Sequence, residues 1–342
     1  MKILELTFEE FRETLQAGYR KSGDDVGRVY RSLFQNKAPS RNSAIDSPAA
    51  SELFRFVASI LELNPGEIIS VKTDGESTKF ITRLQDGHEI ESVVIPMATH
   101  HTICVSSQVG CRIGCRFCQT GQMGFHRNLT TEEIVGQVYA AKFKLGIEAR
   151  NIVFMGMGEP LDNLDNVIQA VRVLNDQRGL DIALRHITIS TVGKKAGIEK
   201  LAKLGMKGLR LSISLNAPND RIRARIMPAN RISSMKTLQT TLLQYPFAKK
   251  ETVFITYVLI QKINDAYEHA MELAAYVKSI PVKMNVIPYN PRSSSPFLSP
   301  SEKEVRQFCD WLAECGVFIR RRRTKGQDMM AACGQLGKIS QS

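Results

Sequence analysis

The pattern of hydrophobic and polar positions divides the chain into a short N-terminal part and a longer remainder. In the first 63 positions, apolar residues recur at the three- to four-residue spacing of amphipathic helices. This spacing predicts three helices, at residues 8–17, 26–34 and 49–61. A Ser-, Pro- and Asn-rich segment at residues 36–48 separates the second helix from the third and is typical of a loop.

From Glu67 the apolar positions alternate with a period of two, which is typical of half-buried strands. Strand-like segments lie at residues 68–73, 79–84 and 88–95, and Asp86-Gly87 predicts a tight hairpin turn between the last two. Residues 1–96 are therefore predicted to form an accessory region of helices followed by a β hairpin. The main domain is expected at residues 97–342.

In this second region, mostly apolar strand-like segments alternate with amphipathic helical segments. The strands are predicted at residues 101–107, 151–156, 186–192, 208–215, 252–260, 283–289 and 317–323. The helices are predicted at residues 131–145, 164–174, 196–204, 220–226, 265–279 and 302–315. Thr130 and Glu133 form a capping-box pattern before the first of these helices. The alternation predicts an α/β fold with a parallel sheet covered by helices.

Composition and charge narrow the class of protein. With 43% hydrophobic residues, a mean hydropathy of −0.16 and no apolar run approaching eighteen residues, the chain is expected to be globular and to have no membrane span. The acidic N-terminus lacks a signal-peptide pattern, and seven cysteines argue against a secreted disulfide framework, so the cytoplasm is the expected compartment. A net charge of +12 favours a polyanionic partner, nucleic acid first, although a basic protein without one is the alternative.

The most specific chemical signal is the segment CRIGCRFCQTGQMGFHRN at residues 111–128. Its three cysteines, Cys111, Cys115 and Cys118, stand in a C-x3-C-x2-C array. Thiolates are typical ligands of iron–sulfur clusters, and three of them leave one iron of a four-iron cluster open. A structural zinc site is the alternative, but it would need a fourth ligand, and the spacing of His126 fits no usual zinc pattern.

The array, with the aromatic Phe117 before its last cysteine, resembles the radical S-adenosylmethionine (SAM) superfamily. Three strings resemble the RlmN/Cfr family of RNA adenine methyltransferases: CVSSQVGCRIGCRFCQTGQMGFHRNLTTEEIVGQV from Cys104, GMGEP at residues 156–160, and AACGQL at residues 331–336. The resemblance extends from about Glu91 to Leu336 and is loose over the first ninety residues. It implies a partial (β/α)6 barrel with the active site at the carboxyl ends of its strands.

The resemblance also implies the cofactors: a [4Fe-4S] cluster held by Cys111, Cys115 and Cys118, and two SAM molecules per turnover. One electron from the cluster would cleave a C–S bond of SAM and yield a 5′-deoxyadenosyl radical. The SAM-contacting positions of the family are matched here by Gly158, Glu159, Ser190, Ser214, Leu215, Asn216 and Asn290. The family commonly has His at the position of Asn216, whose amide can still donate and accept hydrogen bonds.

Cys333 and Cys104 match the two reactive cysteines of the family. The match implies that Cys333 takes a methyl group from one SAM, loses a hydrogen atom to the radical from the second, and adds to an sp2 carbon of adenine, C2 being commoner than C8. Glu91 matches the acceptor of the substrate proton, and a transient Cys104–Cys333 disulfide is implied on product release. Cys309 and Cys315 are interpreted as small buried hydrophobic residues on the last helix.

Ribosomal RNA is the first partner that the resemblance implies, transfer RNA the second, and a one-electron donor such as a flavodoxin is expected. The RRRR run at residues 320–323 fits either phosphate contact or a solvated edge strand. Two other hypotheses stay open: another radical SAM enzyme with a different substrate on the same barrel, and a non-catalytic, metal-stabilised RNA-binding protein. Neither of these needs both Cys104 and Cys333.

Overall fold

A computed structural model of the chain describes residues 1–16, 23–35, 48–75, 77–228, 233–249, 251–291, 295–321, 330 and 333–337. The loop predicted at residues 36–48 lies outside these ranges except for its last residue, which begins a helix. Within the described residues, no helix combines the length and the apolar composition needed to cross a membrane.

Ten strands form one mixed sheet, and two more form a separate small hairpin. The strands are β1 Glu67–Asp74, β2 Ser77–Arg83, β3 Glu89–Pro96, β4 His101–Cys104, β5 Gln108–Gly110, β6 Phe125–Asn128, β7 Ala149–Phe154, β8 Ile187–Thr191, β9 Arg210–Ser214, β10 Val253–Leu259, β11 Val282–Pro288 and β12 Ile319–Arg321. The helices are α1 Phe8–Gln16, α2 Gly23–Gln35, α3 Pro48–Ile60, α4 Gln119–Gln122, α5 Thr131–Lys144, α6 Leu164–Asn175, α7 Lys195–Lys203, α8 Asp220–Ile226, α9 Met235–Leu243, α10 Tyr267–Val277 and α11 Glu302–Glu314.

The large sheet has the order β1-β2-β3-β4-β7-β8-β9-β10-β11-β12. From β4 to β12 every neighbouring pair is parallel, and each consecutive pair of these strands is joined through at least one helix. Six such crossovers in an open sheet make a partial (β/α)6 barrel, which confirms the predicted fold. The carboxyl ends of its strands therefore meet at one rim, where parallel α/β folds bind ligands.

The N-terminal strands continue the same sheet instead of forming a separate one. β3 pairs antiparallel with β4, with Val93 opposite Cys104. A single hydrophobic cluster includes Leu4 from the N-terminus, Phe80 from β2 and Ile189 from β8, each 0% exposed. The ring of Phe34 on α2 contacts Tyr139 on α5 with 6.4 Å between centroids. Residues on both sides of position 96 are thus buried together.

Most of the long elements lie where the periodicity predicts them, and short ones do not. α4, β5, β6 and α9 were not predicted. Helix α5 begins at the predicted capping box: Glu133 N donates to Thr130 Oγ1 over 3.2 Å, and Thr130 N donates to Glu133 Oε2 over 2.9 Å. One burial prediction is wrong. Cys315 follows the last turn of α11 and is exposed, while Cys309 is partly buried against the core.

Candidate active site at the carboxyl rim of the barrel

The three array cysteines lie in the connection of a small hairpin, between β5 and β6. Cys111 N donates to the carbonyl oxygen of Gly124 over 2.7 Å and closes the base of this connection. Gly110 has φ +75°, and a Cβ there would lie 1.9 Å from the Gly124 oxygen, so only glycine fits. Cys118 N donates to the carbonyl oxygen of Cys115, which folds the three thiols into one turn-rich segment.

Two of these thiols lie in apolar surroundings. Burial raises the pKa of Cys111 to about 12, to which the nearby charge of Cys118 also contributes. Burial also raises the pKa of Cys115 well above its usual value, with further contributions from Cys118 and Cys111. Coordination to a metal would be needed to deprotonate Cys111 and Cys115 at neutral pH.

A buried arginine on α8 stabilises two loops of the rim, and the end of the same helix contacts the cysteine segment. Arg223 is 1% exposed, and its guanidinium donates to the carbonyl oxygens of Leu215 over 3.2 Å and of Val192. Leu215 and Val192 are the first residues after β9 and β8, so Arg223 links two loops of the rim. Arg116 N in the cysteine segment donates over 3.0 Å to the carbonyl oxygen of Ile226, at the end of the same helix.

The GMGEP segment follows β7 and packs against the strand end that leads into the cysteine hairpin. Gly158 has φ +103°, and a Cβ there would lie 2.6 Å from the Cβ of Gln108. Glu159 N donates to Gln108 Oε1 over 2.9 Å. Sequence reasoning missed Gln108, because a glutamine inside a strand gives no distinctive signal. The close contact explains why glycine occupies position 158.

Glu159 is the central carboxylate of the rim and is 2% exposed. It accepts hydrogen bonds from Val192 N over 2.9 Å and from Leu161 N over 3.1 Å. Burial nevertheless raises its pKa to about 7, against the opposite effect of the hydrogen bonds from Thr191, Val192 and Leu161. A carboxylate with this pKa gains from a bound cation, such as the ammonium group of an amino acid.

Two serines predicted to contact SAM meet at the ends of neighbouring strands. The hydroxyl oxygens of Ser190 on β8 and Ser214 on β9 are 3.4 Å apart. Leu215 follows, fully buried, and its backbone N donates to the carbonyl oxygen of Thr256 over 3.0 Å. The structure therefore brings Ser190, Ser214 and Leu215 to the same rim as Glu159.

The next residue, Asn216, is used inside the fold. Its φ is +58°, a conformation that Asn adopts more readily than most residues, and it is 2% exposed. Its Oδ1 accepts from Val258 N over 3.0 Å, and its Nδ2 lies 3.3 Å from the sulfur of Met227. The side-chain amide is thus engaged within the protein. The backbone is engaged as well: Asn216 N donates to the carbonyl oxygen of Thr256 over 3.3 Å, and its carbonyl oxygen accepts from Asn264 Nδ2 over 2.8 Å.

Cys104 and Cys333 line the same cavity, although they are 229 positions apart in the sequence. The cavity has a volume of about 450 Å³ and lies inside the barrel; Asn290 and Leu336 also line it. Cys104 is 7% exposed at the end of β4, whereas Cys333 is exposed. Asn290 Nδ2 donates to the carbonyl oxygen of Cys333 over 3.2 Å.

Residues 333–337, called the Cys333 segment below, are fixed to the rim on two sides. Gln119 N, directly after Cys118, donates to the carbonyl oxygen of Gly334 over 2.7 Å. Thr120 Oγ1 donates to the carbonyl oxygen of Leu336 over 2.6 Å. On the other side, Gln335 Nε2 donates to the carbonyl oxygen of Pro291 over 3.1 Å. The segment thereby connects the cysteine hairpin to the loop after β11.

Glu91 lies on β3. A glutamate on a strand usually faces solvent, but this one is buried. It is 4% exposed and forms an ion pair with Lys79 on β2, with 3.0 Å between Oε2 and Nζ. Gly337 N donates to the same carboxylate oxygen over 3.1 Å. The structure therefore places Glu91 beside the Cys333 segment. Lys79 is a second residue that sequence reasoning missed.

The basic run divides at the limit of the described residues. Arg320 and Arg321 line the cavity, Arg320 is exposed, and Arg321 is paired with Glu302. Residues 322 and 323 lie outside the described residues. Arg210, the first residue of β9, lines the cavity as well, and its pKa is lowered by burial and by the charges of Arg320 and Arg185. The basic part of the cavity therefore lies towards the amino ends of the strands, opposite the carboxyl rim.

Comparison with known proteins identifies the family. A model of the radical SAM superfamily matches residues 105–274. A Lawsonia intracellularis (strain PHE/MN1-00) protein named dual-specificity RNA methyltransferase RlmN is 38% identical over 348 residues, which cover 98% of this chain and 96% of that protein. A Protochlamydia amoebophila (strain UWE25) relative, named RlmN 1, is 40% identical over 342 residues, with 99% and 94% coverage. The chain belongs to the RlmN family of radical SAM methyltransferases.

The likeness to this family extends to the fold. A solved radical SAM methyltransferase from Sphaerobacter thermophilus superimposes with a TM-score of 0.90 at 35% identity, covering 98% of this chain and 99% of that one. The match includes the N-terminal residues, over which sequence motifs gave only a loose resemblance. An RlmN-type architecture therefore covers nearly the whole chain.

RlmN proteins use a [4Fe-4S] cluster and SAM, and these are the cofactors of this chain. The donor set fits the cluster, because three cysteines from one hairpin connection supply soft thiolate ligands. Within the part of the chain that the structure describes, no three His, Cys, Asp or Glu side chains converge to hold a single metal ion. A four-iron cluster needs no such convergence, because each thiolate binds its own iron.

Proposed function

We propose that this protein methylates an sp2 carbon of an adenosine in RNA, C2 in preference to C8, through a methyl group carried on Cys333. One observation carries the proposal: Cys104 and Cys333 line one cavity, and the Cys333 segment is hydrogen-bonded to the residue that follows Cys118. Two reactive thiols thus lie next to the cysteine hairpin. The names of the RlmN relatives, which are RNA methyltransferases, support RNA as the substrate.

In this proposal Cys111, Cys115 and Cys118 hold the cluster. SAM is bound by Gly158 and the Glu159 carboxylate, by the hydroxyls of Ser190 and Ser214, and by Leu215, Asn216 and Asn290. When bound, the cluster and SAM supply a carbon-centred radical. The protein positions the groups that contact SAM. Arg223 and Gln108 fix the loops that carry these contacts, and Glu159 supplies the negative charge for an ammonium group.

The Cys333 thiolate accepts a methyl group from one SAM, giving S-methylcysteine. It then loses a hydrogen atom during cleavage of a second SAM, and its methylene carbon adds to the adenine carbon. Such a route suits this carbon, which is too weak a nucleophile to attack a sulfonium directly. Glu91 takes the proton from the substituted carbon. The unpaired electron would pass to a one-electron acceptor, for which the oxidised cluster would serve. The Cys104 thiolate then attacks the sulfur of Cys333 and forms a transient disulfide; the bond between that sulfur and the methylene carbon breaks, its electron pair stays on the carbon, and a proton added there completes the methyl group of the released base.

The proposed RNA is ribosomal first and transfer RNA second, and a flavodoxin-type protein is the proposed one-electron donor. A net charge of +12 supports binding to a polyanion. Residues 1–96 are proposed as an accessory region that helps to grip the RNA, with residues 97–342 as the catalytic part. An iron–sulfur cluster and reactive thiols suit a reducing compartment, so we propose the cytoplasm.

The test is mass spectrometry of the peptide that carries Cys333, from protein made without oxygen and with iron and SAM present. We expect this peptide to be heavier by one methylene group, and the added mass to be absent in Cys333→Ala. Cys315→Ala is the matched control, since Cys315 is also exposed but does not line the cavity, and it should keep the added mass.

An unmodified Cys333 in wild-type protein with a reducible cluster would overturn the methyl-carrier mechanism and favour another radical SAM reaction. The substrate is tested separately by digesting RNA from cells with and without the gene. Loss of a C-methylated adenosine, restored by wild type and not by Cys104→Ala, is the expected result. An unchanged nucleoside profile would exclude cellular RNA as the substrate.

A further inference from the structure

The buried ion pair beside the proposed active site has one partner, Lys79, to which the proposed function gives no role. Lys79 on β2 and Glu91 on β3 are 7% and 4% exposed, with 3.0 Å between Nζ and Oε2. Taking two charges out of water is costly, and hydrophobic residues of similar size would often stabilise a fold as well. The pair therefore calls for a role besides stability.

Both partners of this pair also bind the C-terminal part of the chain. Lys79 Nζ donates to the carbonyl oxygen of Met330 over 3.1 Å, three residues before Cys333. Gly337 N donates to Glu91 Oε2 over 3.1 Å, four residues after Cys333. The ion pair therefore holds the chain on both sides of the proposed methyl carrier. A single carboxylate oxygen of Glu91 takes part in both the ion pair and the bond to Gly337.

The remaining bonds to the Cys333 segment differ in kind. The donors Gln119 N, Thr120 Oγ1, Gln335 Nε2 and Asn290 Nδ2 all pair with neutral carbonyl oxygens. Their strength is independent of the charge on Glu91. The contacts through Lys79 and Glu91 are charge-assisted, and such bonds are about twice as strong as neutral ones. This side of the segment can therefore respond to a proton.

We propose that Lys79 is a positioning residue that forms, with Glu91, a charge-dependent clasp on the Cys333 segment. The inference rests on the proposed function, in which Glu91 takes the substrate proton. Once protonated, Glu91 loses its charge-assisted bonds to Lys79 and Gly337 N, and Lys79 is left as a buried cation without its counter-charge. The clasp therefore loosens at the step in which Cys333 leaves the base and bonds to Cys104.

The experiment measures the clasp without RNA and without methylation. Hydrogen exchange of the Gly337 amide and the rate of Cys104–Cys333 disulfide formation under a mild oxidant report how freely the segment moves. We expect Lys79→Met and Glu91→Gln each to raise both rates about tenfold or more, the usual worth of a charged hydrogen bond. The double variant should add little, because either change alone opens the clasp. Lys79→Arg should restore most of the wild-type behaviour.

Lys72→Met is the matched control. Lys72 lies directly opposite Lys79 in the β1–β2 register but is exposed. It should leave both rates unchanged. A general loss of stability in Lys79→Met would instead raise exchange throughout β2 and β3, so those amides are followed in the same experiment. If Lys79→Met does not fold, Lys79→Arg and Glu91→Gln still test whether the ion pair restrains the Cys333 segment.

Unchanged Gly337 exchange and disulfide rates in Glu91→Gln would overturn the clasp. The methyl-carrier proposal stands or falls on a different observation, the mass of the Cys333 peptide in wild-type protein. An unmethylated Cys333 together with accelerated rates in Lys79→Met would retain the mechanical link and refute its proposed use in methyl transfer. The failure of one proposal is therefore distinguishable from the failure of the other.

Discussion

Among single residues, Glu159 shows most clearly how burial prepares a site for its ligand. Its carboxylate accepts two backbone N–H bonds, yet its pKa is raised to about 7 because almost no water reaches it. The charged form is therefore disfavoured in the empty site. A bound ammonium group would reverse this preference, so ligand binding and ionisation of Glu159 are coupled.

This coupling predicts the pH dependence of SAM binding. Below pH 7 the carboxyl of the ligand-free protein is mostly protonated, so the dissociation constant for SAM should rise about fivefold between pH 7 and pH 6. Binding should release a proton in this range. Isothermal titration calorimetry in buffers of different ionisation enthalpy measures both effects. Glu159→Gln should bind more weakly and lose the pH dependence; retention of it would assign the titration to another group.

The same residue should also set the pH dependence of stability without SAM. Because the pKa is raised on folding, the stabilising contribution is present below the ordinary pKa near 4.5 and is lost as the pH rises through about 7. The melting temperature of wild type, compared with that of Glu159→Gln, should therefore fall as the pH increases from 5 to 8. Parallel curves for the two proteins would contradict this prediction.

Among the elements, helix α5 ties the cysteine hairpin to the rest of the fold. Glu133 completes the capping box with Thr130 and also receives two bonds from Arg127 on β6, over 2.7 and 2.8 Å. Arg127 in turn donates to Asp86, in the turn before β3, over 2.6 Å. One helix start therefore organises two neighbouring hairpins, and the cap has consequences beyond the helix itself.

Replacing the capping residue tests whether the start of α5 stabilises the cysteine hairpin as well as the helix. Thr130→Ala should reduce the free energy of unfolding by about 1 kcal/mol, the usual cost of losing an N-cap. It should also increase hydrogen exchange in β5 and β6, because the helix start anchors Arg127. Ser301→Ala removes the matching capping box of α11, far along the chain, and should cost a similar amount without affecting β5 and β6. Equal exchange in both variants would deny α5 this role.

On the scale of the whole molecule, one sheet and one hydrophobic cluster cross the predicted boundary at residue 96. Antiparallel pairing of β3 with β4 and the buried contact of Phe34 with Tyr139 join the two parts. Large shared cores unfold cooperatively. We therefore expect a single transition in thermal unfolding of the cluster-loaded protein, followed by circular dichroism and by the absorbance of the cluster. Two separated transitions would indicate that residues 1–96 fold on their own.

The sequence by itself determined the fold class and the chemistry of the cysteine array. Long strands and helices carry regular apolar spacing, so alternation alone predicts the parallel sheet, and the capping box marks the start of α5. Short elements escaped prediction: α4, β5 and β6 are three or four residues long, too short for a period to be recognised. The sequence motifs assigned Cys104 and Cys333 to one reaction only through their resemblance to the RlmN/Cfr family.

Tertiary structure decided which distant residues meet. Lys79 and Met330 are 251 positions apart, and Thr120 and Leu336 are 216 apart, so no local pattern could connect them. Whether a side chain is free or engaged also depends on its neighbours: Asn216 is occupied inside the fold, and Cys315 is exposed where the helix pattern predicted burial. Local spacing specifies the elements, whereas their packing determines the charge, burial and partners of each functional group.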